Sequence, residues 1–484
     1  MRRGAKVGWS LEGTCGVVTC LLMLACGPAT PGAGDTDGTP PQEFQPSQRD
    51  PSSPEFQGRS WYVSTKGSDG GTGKREAPLR TIVRAAALAS PGDVIRVLPG
   101  VYSEEFVLGA RGTNAAALTL RGEGLPLPTL VPANKARSAV IRVQGRWRLE
   151  NLHVDVGGAA MFAVLFESGA RQSVLSGSEL HAGASSAGVI VEGAADVTLQ
   201  NNHIHHFIKP GSDSHGVVVV GPARNIVIQD NDIHHNSGDS IQCQAGSAPS
   251  DTVLIEGNTL HDDGENGVDI KRCQRVTVRG NLFSGFPNTA IRAQGSSAGE
   301  AVVIHDSASD ILVQGNSIAR AGRGISVVAD NAVVPENIRI EDNQLQDIRN
   351  LPAGNGQGIR VASARNVRVT GNTVEGSASY GLMLAADGAV VTGLSVSRNI
   401  LRGSSHPLLF RLGDARSRPG LQLEANRYAL GGILKIDGVL ETLRGDKARY
   451  QVDFPGDQLT LSSSAKLEVW RRVLGMDQGS GLLE

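Results

Sequence analysis

VTLQNNHI (197–204), IVIQDNDI (226–233) and VLIEGNTL (253–260) can be written beneath one another in one frame: apolar, any, apolar, any, any, Asn, any, apolar. Five further stretches fit it: VTVRGNLF (276–283), ILVQGNSI (311–318), IRIEDNQL (338–345), VRVTGNTV (367–374) and LSVSRNIL (394–401). Alternation with period two marks a strand with one buried face. The asparagines Asn202, Asn231, Asn258, Asn281, Asn316, Asn343, Asn372 and Asn399 recur at spacings of 23 to 35 residues. Weaker copies, LENLHV (149–154) and LEANRY (423–428), extend the series at both ends. A repeat of this length, built from short strands with no helical period, predicts a parallel β-solenoid whose coils stack at about 4.8 Å. One asparagine per coil at a fixed position then stacks into an internal hydrogen-bonded ladder. These asparagines are therefore read as structural.

Between the asparagine strands lies a second family: GVIVE (188–192), GVVVV (216–220), SIQCQ (240–244), GVDIK (267–271), AVVIH (301–305), GISVV (324–328), GIRVA (358–362) and GLMLA (381–385). Their second and fourth residues are expected to point inward, and their third and fifth outward. Cys243 is a fourth residue and Cys273 lies two positions beyond the end of the next strand, so the one-rung stack predicts that they do not pair.

The composition agrees with a solenoid. The 484 residues include 61 Gly but only 10 Phe, 5 Tyr and 4 Trp, which implies a core of small aliphatic side chains with frequent tight turns. With 46 basic against 48 acidic residues, the net charge of −2 excludes a nucleic-acid-binding protein, which needs a concentrated basic excess. Residues 1–26 read as an export signal: Arg2, Arg3 and Lys6 precede a short apolar run from Val17 to Ala25. That run is too short to span a bilayer. Met23-Leu24-Ala25-Cys26-Gly27 resembles a bacterial lipobox, which implies lipidation at Cys26 and an exported lipoprotein at the outer membrane or cell surface, with a secreted protein as the alternative. Residues 27–58, rich in Pro, Gly, Ser and Asp, read as a disordered linker. The β-helix is expected over 59–430 and a C-terminal cap over 431–484, as a monomer that meets the membrane only through its lipid.

The whole pattern resembles that of pectate-lyase-like proteins, which implies an all-β, right-handed parallel β-helix of roughly eleven or twelve coils. WYVSTKGSDGGTGKREAPLRTIVRAAALASPGDVIRVLPGVY (61–102) resembles the start of such proteins and implies a short capping helix from Ile82 to Leu88 over the open end of the stack. The end, YQVDFPGDQLTLSSSAKLEVWRRVLGMDQGS (450–480), resembles a C-terminal segment of many of them.

Most outward positions of the second strand family are plain, as at Ile190, Val218, Val303, Ser326 and Met383. Three consecutive rungs differ: Asp239, Gln242 and Gln244, then Asn266, Asp269 and Lys271, then Glu300 and His305. Lys271 is expected to stack between Gln244 and His305. The segments leading in carry His203, His205, His206, Lys209, Asp213 and His215, then Asp232, His234 and His235, then His261, Asp262, Asp263 and Glu265. Eight of the eleven histidines thus fall between 203 and 305. A base, a cation and several carboxylates on adjacent rungs are the pattern of a site rather than of a solvated face.

ENGVDIKRCQRVTVRGN (265–281) resembles the active-site rung of the alginate lyase and chondroitinase B family. The resemblance implies β-elimination, or epimerisation, on an acidic polysaccharide, with Lys271 as base and His305 where the family carries an arginine. Calcium suits the oxygen-rich set Asp239, Asp262, Asp263, Glu265 and Asp269, and a bound cation would lower the pKa of the lysine. Substrate contacts are expected from His215, Gln242, Gln244, Asn266, Arg323 and Arg360. The histidine cluster could instead take zinc or copper. Two other readings stand beside the lyase. One is a non-catalytic glycan-binding or adhesion solenoid, although this face has almost none of the exposed aromatics such a face favours. The other is a glycoside hydrolase using Asp239 and Asp269.

Overall fold

The computed structural model describes residues 58–484, apart from 111–115, 136, 293–297, 330–332, 352–353, 385–390, 404–407, 413–419, 437–451 and 484. The expected signal, the linker to residue 57 and Cys26 lie outside the described residues. The rest is a parallel β-solenoid of about 11 turns, with three sheets of 14 strands each. Each coil runs through a strand of the first sheet, the asparagine turn, a short strand of the third sheet, a longer connection and a strand of the second sheet.

The first sheet contains the asparagine frame. Its apolar positions stack in register, Val197 on Ile226, Val253 and Val276, and all four are buried. The second sheet contains the other strand family, and Val217, Ile241, Val268 and Val302 form an inward column there. The third sheet is made largely of three-residue strands directly after the ladder asparagines, such as His203–His205, Asp232–His234 and Thr259–His261. Those histidines, in the segments leading into the second-sheet rungs, are therefore strand residues. Their central residues Ile204, Ile233 and Leu260 fill the core, so the flanking side chains face outward.

The asparagine ladder forms and gains a ninth member, Asn426. Asn258, for example, accepts from the Asn231 side chain at 2.9 Å and donates its own amide to Asn281 Oδ1 at 3.0 Å and to the Ile228 carbonyl at 2.9 Å. The residue before each ladder asparagine has a left-handed backbone, with φ of 53° at Asn201, 54° at Asp230, 67° at Gly257, 64° at Gly280 and 63° at Gly315. Gly, Asn and Asp tolerate that conformation best, which explains the NN, DN and GN pairs of the repeat.

Both ends are closed. Helix Ile82–Leu88 lies at the start of the stack, with Ile82 and Ala85 buried. Glu104 accepts the first two helical N–H groups, Ile82 and Val83, at 3.0 and 3.1 Å. At the other end, strand Ile433–Ile436 still pairs in the second sheet and Gln458–Thr460 adds to it antiparallel. Gly481–Leu483 continues the third sheet, so stacked strands extend beyond residue 430. The buried Asp477 accepts from Asn426, from Tyr428 Oη at 2.7 Å and from Trp470 Nε1 at 3.0 Å, which terminates the ladder. No described helix is long and apolar enough to cross a membrane.

One expectation is corrected. Cys243 and Cys273 form a disulfide, with Cα atoms 6.3 Å apart. Cys243 does stack on Ile270. However, Arg272 takes a left-handed backbone (φ 52°), and this turns Cys273 back into the core at the corner between the second and first sheets, where it reaches Cys243 diagonally.

Candidate functional site

The outer face of the second sheet changes character along the stack. Leu165, Ile190 and Val218 form a buried apolar strip. The same column then continues through Gln242, Asp269, Val303, Ser326, Arg360 and Met383. Beside it runs a column of Gln244, Lys271 and His305, so the expected neighbours of Lys271 are in place. Asp269 lies at the centre. One carboxylate oxygen is 2.8 Å from Lys271 Nζ and the other 2.6 Å from His305 Nε2. Asp269 and His305 are buried, whereas the Lys271 side chain is 32% exposed and gives the cluster its opening to solvent.

A further polar column flanks this one, formed by His215, Asp239, Asn266, Glu300, Arg323 and Gln357. Asp239 lies 3.1 Å from His215 Nδ1 and accepts from Asn266 Nδ2 at 2.9 Å and from Gln242 Nε2 at 3.1 Å. Asn266 Oδ1 accepts from Glu300 N at 2.9 Å. Glu300 pairs with Arg323 at 2.8 Å, and Arg323 donates to Gln357 at 2.8 Å. Burial lowers the pKa of His215, but Asp239 outweighs it and the balance is upward.

The five carboxylates expected to hold calcium do not converge. Asp262 turns to the third sheet and meets His261 Nδ1 at 2.8 Å. Asp263 is fully enclosed, accepting from Asn236 N at 2.6 Å and from Ser240 Oγ. Asp239 is also enclosed, which removes it from a hydrolase pair. Glu265 pairs with Arg292 at 2.7 Å, and Arg292 also holds Asp213. Asp269 is engaged as above. Among the described residues these five form no group of three with ligand atoms within 4.8 Å of one another. The donor set does not fit calcium, because each carboxylate already has a cationic or hydrogen-bonding partner of its own.

Electrostatics also changes the role of Lys271. Burial lowers its pKa, but Asp269, with Asp239 and Glu265 behind it, outweighs burial and leaves it above the ordinary lysine value. The side chain is an ammonium at neutral pH, not a resting base. Burial, then Asp239 and Asp213, push Glu265 up to about 7 against Arg292 and His215. Burial alone pushes Asp263 up to about 7 against its hydrogen bonds.

A second cluster lies on the third sheet. In-register pairing stacks His153, Glu179, His203 and Asp232 in one outward column. Asp155, His181, His205, His234 and His261 form the next. The rings of His181 and His205, and of His205 and His234, stack with centroids 5.2 and 5.1 Å apart. His206 and His235, with φ of 55° and 54°, stack at 5.1 Å just beyond the strands. Burial, then neighbouring imidazoles, pulls His203 and His206 down to about 4. A hydrogen bond from His205 leads the effects that hold Glu179 at about 2. His261, against Asp232 and Asp262, is raised to about 9 despite burial.

Sequence reasoning missed Arg292, Glu179, His153 and His181 as members of these clusters. A signal was present for three of them: the first and third positions after each ladder turn read H-V-D, E-L-H, H-I-H, D-I-H and T-L-H down the stack.

Fold and polar faces together define a parallel β-helix with two side-chain clusters on different sheets. The family model described as "Right handed beta helix region" matches residues 140–307 and 247–401, and the chain belongs to that family. Residues 65–107 also match a family described as a protein of unknown function. No curated protein matches the sequence. Among solved structures, a pectate lyase shares 14% identity over 76% of this chain and 79% of its own, with a TM-score of 0.43. A mannuronic acid specific polysaccharide family 6 lyase from human gut microbiota shares 13% over 86% and 99%, with 0.47. A surface adhesin of Streptococcus pneumoniae shares 11% over 73% and 87%, with 0.47. These are likenesses of fold.

Proposed function

We propose that the chain acts on an acidic polysaccharide laid across the outer face of the second sheet, by removal of the proton α to a uronate carboxylate. The observation that carries this reading is the buried Asp269 carboxylate held between Lys271 and His305 on neighbouring rungs. Asp269 orients the His305 ring and meets the positive charge the ring gains on taking the proton, so His305 is the base. The Lys271 ammonium meets the developing negative charge and gives its proton to the departing glycosidic oxygen. In elimination the C–H electron pair becomes the new double bond as the C–O bond breaks. In epimerisation Lys271 instead returns a proton to the opposite face of the sugar. Arg360, further along the same outward column, supplies positive charge for the polymer, and Arg323 braces the neighbouring column through Glu300. No step passes through calcium.

Incubation of the protein with alginate, pectate and glycosaminoglycans, each with calcium or with EDTA, tests this by the appearance of unsaturated products or inverted uronates. Wild-type product that is lost in Lys271→Ala supports the reading, and activity unchanged in that variant ends it. A non-catalytic glycan-binding face is the second reading, favoured by how completely Asp239, Asn266, Glu300 and Arg323 are paired with one another. Binding without product would select it. An exported, lipid-tethered setting belongs to the same proposal, tested by lipid labelling that disappears in Cys26→Ser.

A further inference from the structure

The third sheet contains a cluster that the proposed chemistry does not use. Eight of the eleven histidines lie on it or at its edge: His153, His181, His203, His205, His206, His234, His235 and His261. Parallel in-register pairing repeats a side-chain position at about 4.8 Å, and alternate residues of a strand share a face. A tripeptide such as H-I-H therefore places two imidazoles outward, and the next coil sets two more beside them. The ring nitrogens point at one another. His153 Nε2 and His181 Nε2 are 2.7 Å apart, and so are His203 Nε2 and His234 Nε2.

Carboxylates complete the sets. Three groups have all their ligand atoms within 4.8 Å of one another: His153, Glu179 and His181; Glu179, His203 and His205; His203, Asp232 and His234. The first and third share no residue, whereas the middle one borrows from both. Each of those two therefore offers two imidazoles and one carboxylate independently of the other.

From this geometry we infer that the outer face of the third sheet is a binding site for divalent transition-metal ions of the zinc and copper class, with capacity for two ions per chain. Two imidazoles and a carboxylate form a zinc-binding set that leaves a fourth position open. Metal–ligand bonds of about 2.0–2.1 Å place tetrahedral ligand atoms about 3.3 Å apart. The facing nitrogens need only part by a fraction of an ångström, which small side-chain torsions supply. In the metal-free pair one Nε2 donates to the other. Binding requires that proton to move to the same ring's Nδ1, and Thr129 Oγ1, 3.2 Å from His153 Nδ1, is placed to accept it. At the second group Asp232 is held from behind by His261 Nε2 at 3.2 Å. The sites are within reach of solvent: the His203 side chain is 18% exposed and that of Asp232 49%.

Equilibrium dialysis of the full chain against zinc chloride, with bound metal counted by atomic emission, tests the inference. About two zinc ions per chain are expected. Glu179→Gln and His203→Gln should each remove one and the double variant, which breaks all three groups, both, while Lys271→Ala leaves the count unchanged. Calcium in place of zinc should not bind at these residues, because imidazole suits transition metals. Zinc should also raise the unfolding temperature of the wild-type chain, a readout that needs no variant. Absence of bound zinc and of that shift, or an unchanged count in the double variant, would overturn the assignment.

Discussion

At the scale of single residues, the site depends on which groups carry charge. Asp269→Asn keeps the shape of the cluster but removes the charge that orients His305 and pairs with Lys271. Turnover on the substrate found should fall at least about 100-fold, the lower end of what a positioned proton-transfer group contributes. Near-wild-type turnover in that variant would place the chemistry elsewhere. Asp263 permits a pH prediction. Its folded pKa is raised from 3.8 to about 7 by burial, so the folded state holds the proton more tightly than the unfolded chain does. Its contribution to stability is complete below about pH 4 and is lost as pH rises through about 7, by on the order of 4 kcal/mol. Asp263→Asn should flatten that slope in urea unfolding measured at several pH values. The Asn amide can replace the carboxyl proton, and the Ser240 hydroxyl can then accept instead of donate.

At the scale of elements, the asparagine ladder ties the first sheet to the third. Asn258→Ala removes an acceptor used by both the backbone and the side-chain amide of Asn231. It leaves those buried donors without their acceptor. The expected cost is about 3 kcal/mol in urea unfolding, with the Lys271 cluster unaffected, because it lies on the second sheet. A cost below about 1 kcal/mol would mean that the ladder is an ornament of the turn rather than its support.

At the scale of the whole molecule, long-range order is set coil by coil. The disulfide between Cys243 and Cys273 closes a loop of 30 residues that is almost exactly one coil, the one carrying Asp269 and Lys271. Cys243→Ala should lower stability by about 3–4 kcal/mol on the loop-closure argument, and the same loss should follow reduction of the wild-type protein. A variant equal to wild type in thermal unfolding would show that stacking alone holds that coil.

The sequence by itself determined what depends on neighbours along the chain. The alternation of the strands, the left-handed Asn, Asp or Gly before most ladder residues and the capping helix are all local. They specify a coil and, by repetition, a solenoid. Even the stack of Gln244, Lys271 and His305 was legible, because the strands of the second family could be aligned on their own apolar positions. Tertiary structure alone decided which side chains meet across coils and corners. Arg272 turned Cys273 inward toward Cys243, and the connections between sheets sent Asp262 to one face and enclosed Asp263 behind another. They also brought Arg292 to Glu265 and Asp213. Such meetings depend on connection lengths and on the direction in which each turn aims the next residue. No local pattern of apolar and polar residues encodes either of these.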